Sequence, residues 1–382
     1  MKKTNALMMT FGLAGGSFTA LRHLAELPGS KLSFIIVGLG NYDKKHKEFK
    51  VHNIPFFRYD GITGHLSSKY IFFGVLLQIP LFIFTLILIF FYRPKIMVFN
   101  GLTTMIPILP VVKLLGIKVV LSFRSWWDKK RFIRIEPIVK WFGNLIDLAY
   151  VNSTGTKNNL SSILPSEKIM VVEHHADRIY FKKRNRELLR KKHMVDDKTV
   201  FLYVGRIDEE KHCQHIFEIA NKLRNNKDIL FMFIGTGLLK NELIKLENKL
   251  SNIKYLGFVN SPKDLVDMYT MADIIISNSD ETYLARPAVE SLACGTPIMI
   301  PILPAMGEKI REGNARVPKS LVPDKIGWLI DIKDTNSVIK LITQKKFHNQ
   351  ALAKRPGCKS YAKMKYYLDP NVKLLKKLEL MT

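Results

Sequence analysis

Short apolar runs rich in Val, Ile, Phe and Tyr recur along the chain, separated by stretches whose apolar residues fall three and four apart. That alternation predicts strands of parallel sheet joined by helices. A first series is expected at Asn5–Phe11, Ser33–Val37, Ile54–Arg58, Lys95–Phe99, Lys118–Phe123 and Leu148–Val151. A second is expected at Thr199–Val204, Ile229–Ile234, Ile253–Leu256, Asp273–Ser277, Pro297–Ile300 and Gly327–Ile330, with helices such as Leu238–Leu250 between them. The polar stretch Asp177–Asp197, containing Lys182-Lys-Arg-Asn-Arg-Glu187 and Arg190-Lys-Lys192, reads as the change-over. The fold class is therefore α/β, with two doubly wound Rossmann-like domains facing one cleft. Residues 1–180 form the first, residues 195–350 the second, and the helical segment 351–382 is expected to pack back toward the first.

One segment breaks the pattern. Residues 71–92 carry no charge and lie between Lys69 and the pair Arg93 and Lys95. The length suits a membrane span, but a single crossing would separate strands that belong to one sheet. Pro80 divides the run. Two placements satisfy it: a wholly buried helix, or an element that dips into one leaflet from the cytoplasmic face. The second is preferred, because Gln78, Thr85 and Tyr92 are its only polar side chains and supply no polar face. Trp126, Trp127, Lys129, Lys130, Arg131 and Arg134 mix aromatic and basic groups nearby, which suits a lipid interface or, equally, an ordinary basic helix.

Charge points to anionic partners: 59 Lys and Arg stand against 33 Asp and Glu in 382 residues, a formal +26. Nucleic acid is disfavoured, since the aromatics sit in apolar runs and are not interleaved on a basic face. Three scattered cysteines, Cys213, Cys294 and Cys358, form no CxxC pair and argue against a disulfide framework or structural zinc. The opening Met1-Lys-Lys and short apolar run lack a cleavage site, so a first strand is expected in place of a secretory signal. A cytoplasmic location follows from both.

Candidate chemistry gathers in two places. Gly12-Leu-Ala-Gly-Gly-Ser17 lies between a strand and a helical pattern, where backbone N–H groups can face an anion or simply make a tight turn. The run Phe201-Leu-Tyr-Val-Gly-Arg-Ile-Asp-Glu-Glu-Lys-His212 reads as a buried strand, a glycine turn, and then Arg206 and Lys211 near a helix start. Glu290-Ser-Leu-Ala-Cys-Gly-Thr-Pro297 reads as helix, turn and strand. A planar guanidinium and a mobile ammonium match phosphate oxygens, and an ionised Glu accepts from vicinal hydroxyls. A nucleotide sugar offers both ends. His212 and His215, three apart, read as a solvated helix surface before a metal site.

These residues resemble the retaining nucleotide-sugar glycosyltransferases of family 4, which have the GT-B fold. The resemblance is specific mainly from Phe201 to Ile330. Gly205-Arg206-Ile-Asp-Glu-Glu-Lys211 is similar to the family's Gly-Arg…Glu-Lys element, whose Arg and Lys hold the donor diphosphate. Ile234-Gly235-Thr-Gly237 resembles the next glycine turn, and Val259 follows the Leu-Gly-Phe of the loop near the nucleobase. Met271–Ser277 resembles the strand leading to the donor. Glu290 matches the second glutamate of the paired-glutamate motif, associated with donor ribose, and Gly15 and Gly16 resemble the glycine loop near the transferred sugar.

Three departures stand out. The family's first glutamate falls eight positions before the second, which is Thr282 here, while Glu281 lies nine before Glu290. Arg124 occupies a position that often carries histidine; it cannot act as a base but can stabilise a phosphate or acceptor oxygen. Glu173-His-His-Ala-Asp177 stands where many members have Asn-Gly-Val-Asp. The resemblance implies sugar transfer from a nucleotide-sugar donor to a glycan or lipid-linked acceptor with retention, an EC 2.4 activity in surface polysaccharide or glycoprotein glycan assembly. It implies no metal and no cofactor; the uncharged segment 71–92 and the charge excess point instead to a chain peripherally bound to the anionic inner face of the cell membrane. Arg206, Lys211 and Arg124 are the expected catalytic residues; Gly15, Gly16, Gly205, Gly235, Val259, Glu281, Thr282 and Glu290 are expected to bind donor. Rival readings are a nucleotide-sugar epimerase of the same fold, a non-catalytic membrane or nucleic-acid binding module, and an inactive transferase.

Overall fold

The computed structural model describes residues 3–13, 15–39, 47–54, 79–124, 136–259, 261–277, 284–301 and 322–382. The chain divides into two compact units, residues 1–173 with 370–382, and residues 174–369. Each is built on its own parallel sheet.

In the first unit the elements run β1 (Thr4–Gly12), α1 (Gly15–Ala25), β2 (Leu32–Leu39), β3 (Phe49–Ile54), α2 (Ile79–Tyr92), β4 (Ile96–Asn100), α3 (Leu102–Met105), α4 (Leu109–Leu114), β5 (Lys118–Phe123), α5 (Glu136–Asn144), β6 (Leu148–Val151), α6 (Thr154–Leu160) and β7 (Ile169–Val171). Among the described residues the sheet order is β3-β2-β1-β4-β5-β6-β7, with every pairing parallel. Because crossovers cover both faces, the central strands are buried on both sides and read as unbroken apolar runs. One face packs Phe18, Leu21 and Leu24 of α1 together with Leu374 and Leu378 near the chain end; the other packs Leu81, Leu88, Leu109 and Leu160.

The second unit continues with α7 (Arg186–Lys192), β8 (Thr199–Val204), α8 (Cys213–Lys222), β9 (Ile229–Ile234), α9 (Lys240–Glu247), β10 (Ile253–Tyr255), α10 (Pro262–Met271), β11 (Ile274–Ile276), α11 (Arg286–Ala293), β12 (Ile298–Pro301), β13 (Gly327–Ile330), α12 (Thr335–Ile342) and α13 (Phe347–Tyr366). The sheet order is β10-β9-β8-β11-β12-β13, again parallel throughout. Successive side chains of β8 feed opposite cores, Phe201 and Tyr203 into one and Val200 and Leu202 into the other. Helix starts follow their caps: Ser261 Oγ accepts from Asp264 N at 3.3 Å ahead of Pro262, and Asp334 Oδ1 from Ser337 N at 3.1 Å. A last helix, α14 (Asn371–Glu379), returns to the first unit and packs on α1.

Two strand expectations need correction. The edge strand is Phe49–Ile54; residues 55–58 lie outside the described residues, and β7 was not expected at all. Both are edge strands. Phe49-Lys-Val-His-Asn-Ile54 keeps only Phe49 buried, so its apolar signal is weaker than that of the Pro-containing run after it. The polar stretch before β8 belongs to the second unit, where a 3-10 turn at Arg178–Phe181 buries Tyr180 and α7 buries Arg190.

Of the uncharged segment, residues 71–78 lie outside the described residues and 79–92 form α2. It buries Leu81, Thr85, Leu88 and Ile89, with Thr85 Oγ1 donating to Leu81 O at 2.6 Å. The opposite stripe, Ile79, Ile83, Leu86, Ile87, Phe90 and Phe91, is exposed, Phe90 by 73% and Phe91 by 72%. Among the described residues no helix is long and apolar enough to cross a membrane.

A buried ionic knot holds the second unit. Asp273, at the start of β11, is wholly shielded; its Oδ2 accepts from Arg190 Nη1 at 2.9 Å and from Val200 N at 2.8 Å, and its Oδ1 from Arg186. Arg190 also donates to Met271 O at 3.0 Å and to Val195 O. Every charge there has partners, so removing one leaves the rest uncompensated. Asp273→Ala is expected to lower the unfolding free energy by about 3–5 kcal/mol in urea titration; a loss under about 1 kcal/mol would show that the knot carries little.

Candidate functional site

Strand order reverses between β1 and β4 in the first unit and between β8 and β11 in the second. In doubly wound sheets such a reversal opens a crevice outside the carboxyl ends of the two strands. Each unit has one, and the sequence-identified residues distribute over both.

In the second unit, Gly205 follows β8 and Gly235 follows β9, and the two loops run backbone against backbone. Gly205 N donates to Ile234 O at 3.0 Å, Ile207 N to Thr236 O at 3.0 Å and Leu239 N to Ile207 O at 2.9 Å. Gly235 has φ of +140°, and a Cβ there would lie 1.8 Å from Gly205 O; one on Gly237 would lie 2.3 Å from Ile207 O. Only glycine fits this approach. It fixes the course of the segment that carries Arg206 and Lys211.

Arg206 is held at its backbone and left half-exposed at its head. Its carbonyl accepts from Tyr203 Oη at 2.6 Å and from Cys213 Sγ at 3.7 Å, while Nη1 pairs with Asp208 Oδ2 at 2.9 Å. Burial pushes the Cys213 thiol up to about 11, so it remains a protonated donor. Asp208 is buried, and its Oδ1 caps the 3-10 turn Glu209–Lys211 by accepting from Lys211 N at 3.1 Å. His212, with φ of +55°, separates that turn from α8; its ring stacks on His215 at 5.9 Å. Val259, in the loop after β10, packs on the core beside Leu256.

Glu290 sits on α11, the helix that follows β11, the other strand of the reversal. Its side chain is buried, and Oε2 accepts from Tyr269 Oη at 3.0 Å. Burial pushes the carboxyl up to about 7, aided by Asp177 and opposed by Arg286 and the hydroxyls of Tyr269 and Tyr180. Glu281 and Thr282 lie outside the described residues.

In the first unit Gly15 and Gly16 open α1 directly beyond β1, and Arg124 follows β5. The Arg124 guanidinium lies 5.7 Å from the centre of the buried Tyr150 ring. Asn100, at the end of β4, donates through Nδ2 to Thr10 Oγ1 at 3.0 Å, linking the two strands that flank the reversal.

Structure thus gathers Gly205, Arg206, Lys211, Gly235, Val259 and Glu290 on one unit, and Gly15, Gly16 and Arg124 on the other. It adds Asp208, Tyr269, Tyr180 and Asn100. Asp208 was legible as a cap, three residues before Lys211. The tyrosines were not, since their contact with Glu290 spans 21 and 110 positions of chain.

Residues 185–363 match the family described as Glycosyl transferases group 1. An uncharacterized glycosyltransferase of Methanocaldococcus jannaschii is 28% identical over 142 residues, 36% of this chain and 36% of that protein. N-acetyl-alpha-D-glucosaminyl L-malate synthase of Bacillus anthracis is 19% identical over 191 residues, 49% of this chain and 47% of that protein. The matches span a third to a half of the length of these curated relatives. Among solved structures, Anabaena HepE in complex with UDP-glucose superposes with a TM-score of 0.69 at 14% identity, covering 99% of this chain and 100% of that one. WaaG, a glycosyltransferase involved in lipopolysaccharide biosynthesis, gives 0.68 at 13%, covering 99% of both. At these identities the likeness shows the fold, two Rossmann-like parallel-sheet domains as in GT-B glycosyltransferases.

The raised Glu290 carboxyl has a consequence for stability. A group that holds its proton more tightly when folded stabilises the native state below its unfolded value, 4.5, and loses that contribution as pH rises through about 7. The difference corresponds to about 3 kcal/mol. Urea midpoints measured from pH 4 to 8 should fall across this window in the parent and flatten in Glu290→Gln; identical slopes in the two proteins would contradict the shift.

Proposed function

We propose that the chain is a retaining glycosyltransferase of the family 4 type that moves a sugar from a nucleotide-sugar donor to a glycan or lipid-linked acceptor. The observation that carries this reading is that Arg206 and Lys211 follow β8 and Glu290 lies on the helix that follows β11, the two neighbouring strands between which the sheet order reverses. The group 1 match over residues 185–363 encloses all three, and a structural neighbour with UDP-glucose bound supports a nucleotide-sugar ligand.

Breaking the bond to the anomeric carbon leaves a nucleoside diphosphate, and the main demand on the protein is to stabilise its growing charge. Arg206 suits that task because Asp208 and Tyr203 fix its segment in advance and its head remains reachable. Lys211 adds a mobile cation one turn later. Glu290 is assigned to the ribose hydroxyls, with Gly205, Gly235 and Val259 shaping the nucleotide site. In the first unit, the α1 start at Gly15 and Gly16 offers backbone N–H groups to an anion, and Arg124 a fixed cation to a phosphate or acceptor oxygen. Retention and the paired role of Glu281 and Thr282 rest on the family resemblance alone.

The exposed stripe of α2 supports the second part of the proposal, peripheral attachment to the inner face of the cell membrane, where a lipid-linked acceptor resides. Six large apolar side chains on one helix face, followed at once by Arg93 and Lys95, suit an interfacial helix over anionic headgroups.

Incubating the protein with a panel of nucleotide sugars and native membranes should release one nucleoside diphosphate in an acceptor-dependent manner. Arg206→Ala and Lys211→Ala are each expected to lower turnover about 100-fold or more; full activity in both would remove the donor site from this position. In flotation with anionic vesicles, the double change Phe90→Asp and Phe91→Asp should lower the bound fraction on the order of tenfold. Undiminished flotation would detach α2 from the membrane role.

A further inference from the structure

Glu290 is not the only buried carboxylate of the second unit, and the comparison with Asp273 is informative. Asp273 is saturated by Arg190, Arg186 and a backbone N–H, and its role is structural. Glu290 instead meets hydroxyls. Tyr269, fully buried on α10, donates to Oε2 at 3.0 Å, and its own carbonyl is tied by Thr296 Oγ1 at 2.6 Å. Tyr180, on the 3-10 turn, packs its ring 6.1 Å from that of Tyr269 and presents its hydroxyl to the same carboxyl. The charged and titratable groups around Glu290 are Arg286 and Cys294 on its own helix and Asp177 before the 3-10 turn, with Arg355 of α13 facing Cys294.

We infer that Tyr269, assisted by Tyr180, is a positioning residue for donor recognition: it orients the Glu290 carboxyl so that the lone pairs it leaves open accept the vicinal hydroxyls of a nucleotide ribose. The inference rests on the assignment of Glu290 to ribose. A carboxylate has about four acceptor positions, and the two tyrosine hydroxyls occupy two of them. Its hydrogen-bond partners are neutral hydroxyls, and Arg286, one turn earlier on the same helix, favours the ionised form without overcoming burial. Because the buried carboxyl keeps its proton up to about pH 7, ribose hydroxyls that donate to the ionised form bind with release of that proton to the buffer. Discrimination for ribose is therefore coupled to pH. A merely space-filling Glu290 would show no such coupling.

The test uses the full chain and isothermal titration with UDP, GDP and ADP, then compares the tightest binder with its 2′,3′-dideoxy counterpart. Both ligands carry the same titrating diphosphate, so the ratio of their affinities isolates the ribose hydroxyls. In the parent that ratio should rise through about pH 7 and reach about tenfold. Tyr269→Phe, which keeps the ring, should cut the ratio about fivefold at high pH and move its midpoint upward, because a hydrogen bond to the ionised form is lost. Tyr180→Phe should move the midpoint in the same direction and serves where Tyr269→Phe does not fold. A parent without ribose preference would overturn the assignment of Glu290 itself. A parent with it, and tyrosine variants with unchanged ratio and midpoint, would overturn the positioning role alone.

Discussion

The close passage of two loop backbones, at Gly205 and Gly235, is the constraint on which the second unit's site depends. Parallel strands lie about 4.8 Å apart within a sheet. Here the loops remain hydrogen-bonded past the strand ends, through Ile207 and Thr236 and then Leu239. No side chain fits between them, since a Cβ on Gly235 would meet Gly205 O at 1.8 Å. The gain is rigidity in a segment that would otherwise be an ordinary loop. Arg206 emerges from it with its carbonyl held by Tyr203 and its head steadied by Asp208, so on the proposed reading little ordering remains to be done when a donor diphosphate binds.

Asp208 serves both cations by different means. Its Oδ2 pairs with the Arg206 guanidinium, and its Oδ1 caps the turn that ends at Lys211. One buried carboxylate thus sets the spacing between a planar and a mobile cation. The pairing with Arg206 has a cost and a benefit. It offsets part of the positive charge offered to a ligand, yet it keeps a long side chain from sampling other rotamers, whose loss otherwise falls to binding. The Arg–Asp contacts at Arg190 and Arg206 therefore do different things: the one at Arg190 is buried and saturated, whereas Arg206 retains an exposed head.

Strands were the most legible feature of the sequence. Thr199–Val204, Ile229–Ile234, Lys118–Phe123 and Leu148–Val151 appear at the residues expected, because strands buried on both faces write a continuous apolar signal; the edge strand Gly327–Ile330 also appears where expected. Edge strands at Phe49–Ile54 and Ile169–Val171 did not, being half-buried or three residues long. Of the site, the parts carried by local sequence were readable: the glycines that permit close approach, and Arg206 and Lys211 five residues apart. What escaped was tertiary. Tyr269 donates to Glu290 across a helix-to-helix contact, and Asn100 reaches Thr10 across two strands that are 90 residues apart in the chain. Nothing in the neighbourhood of a tyrosine in the sequence marks it as a carboxyl partner.

Helix α2 shows why a uniformly apolar segment leaves its placement open until a sheet is built beneath it. With 14 residues and no charge, its composition gives no orientation. The sheet supplies one, by covering Leu81, Leu88 and Ile89 with the core of the first unit and leaving Phe90 and Phe91 outward. An apolar stripe facing water favours self-association. The excess of cations in this chain, a formal +26, opposes that by keeping like copies apart. The same excess, on the proposed reading, draws the stripe to an anionic surface, where apolar burial and counter-charge act together. On the proposed reading the charge and the helix are two halves of one adaptation: each alone is a liability in solution, and together they direct the first unit toward a lipid face.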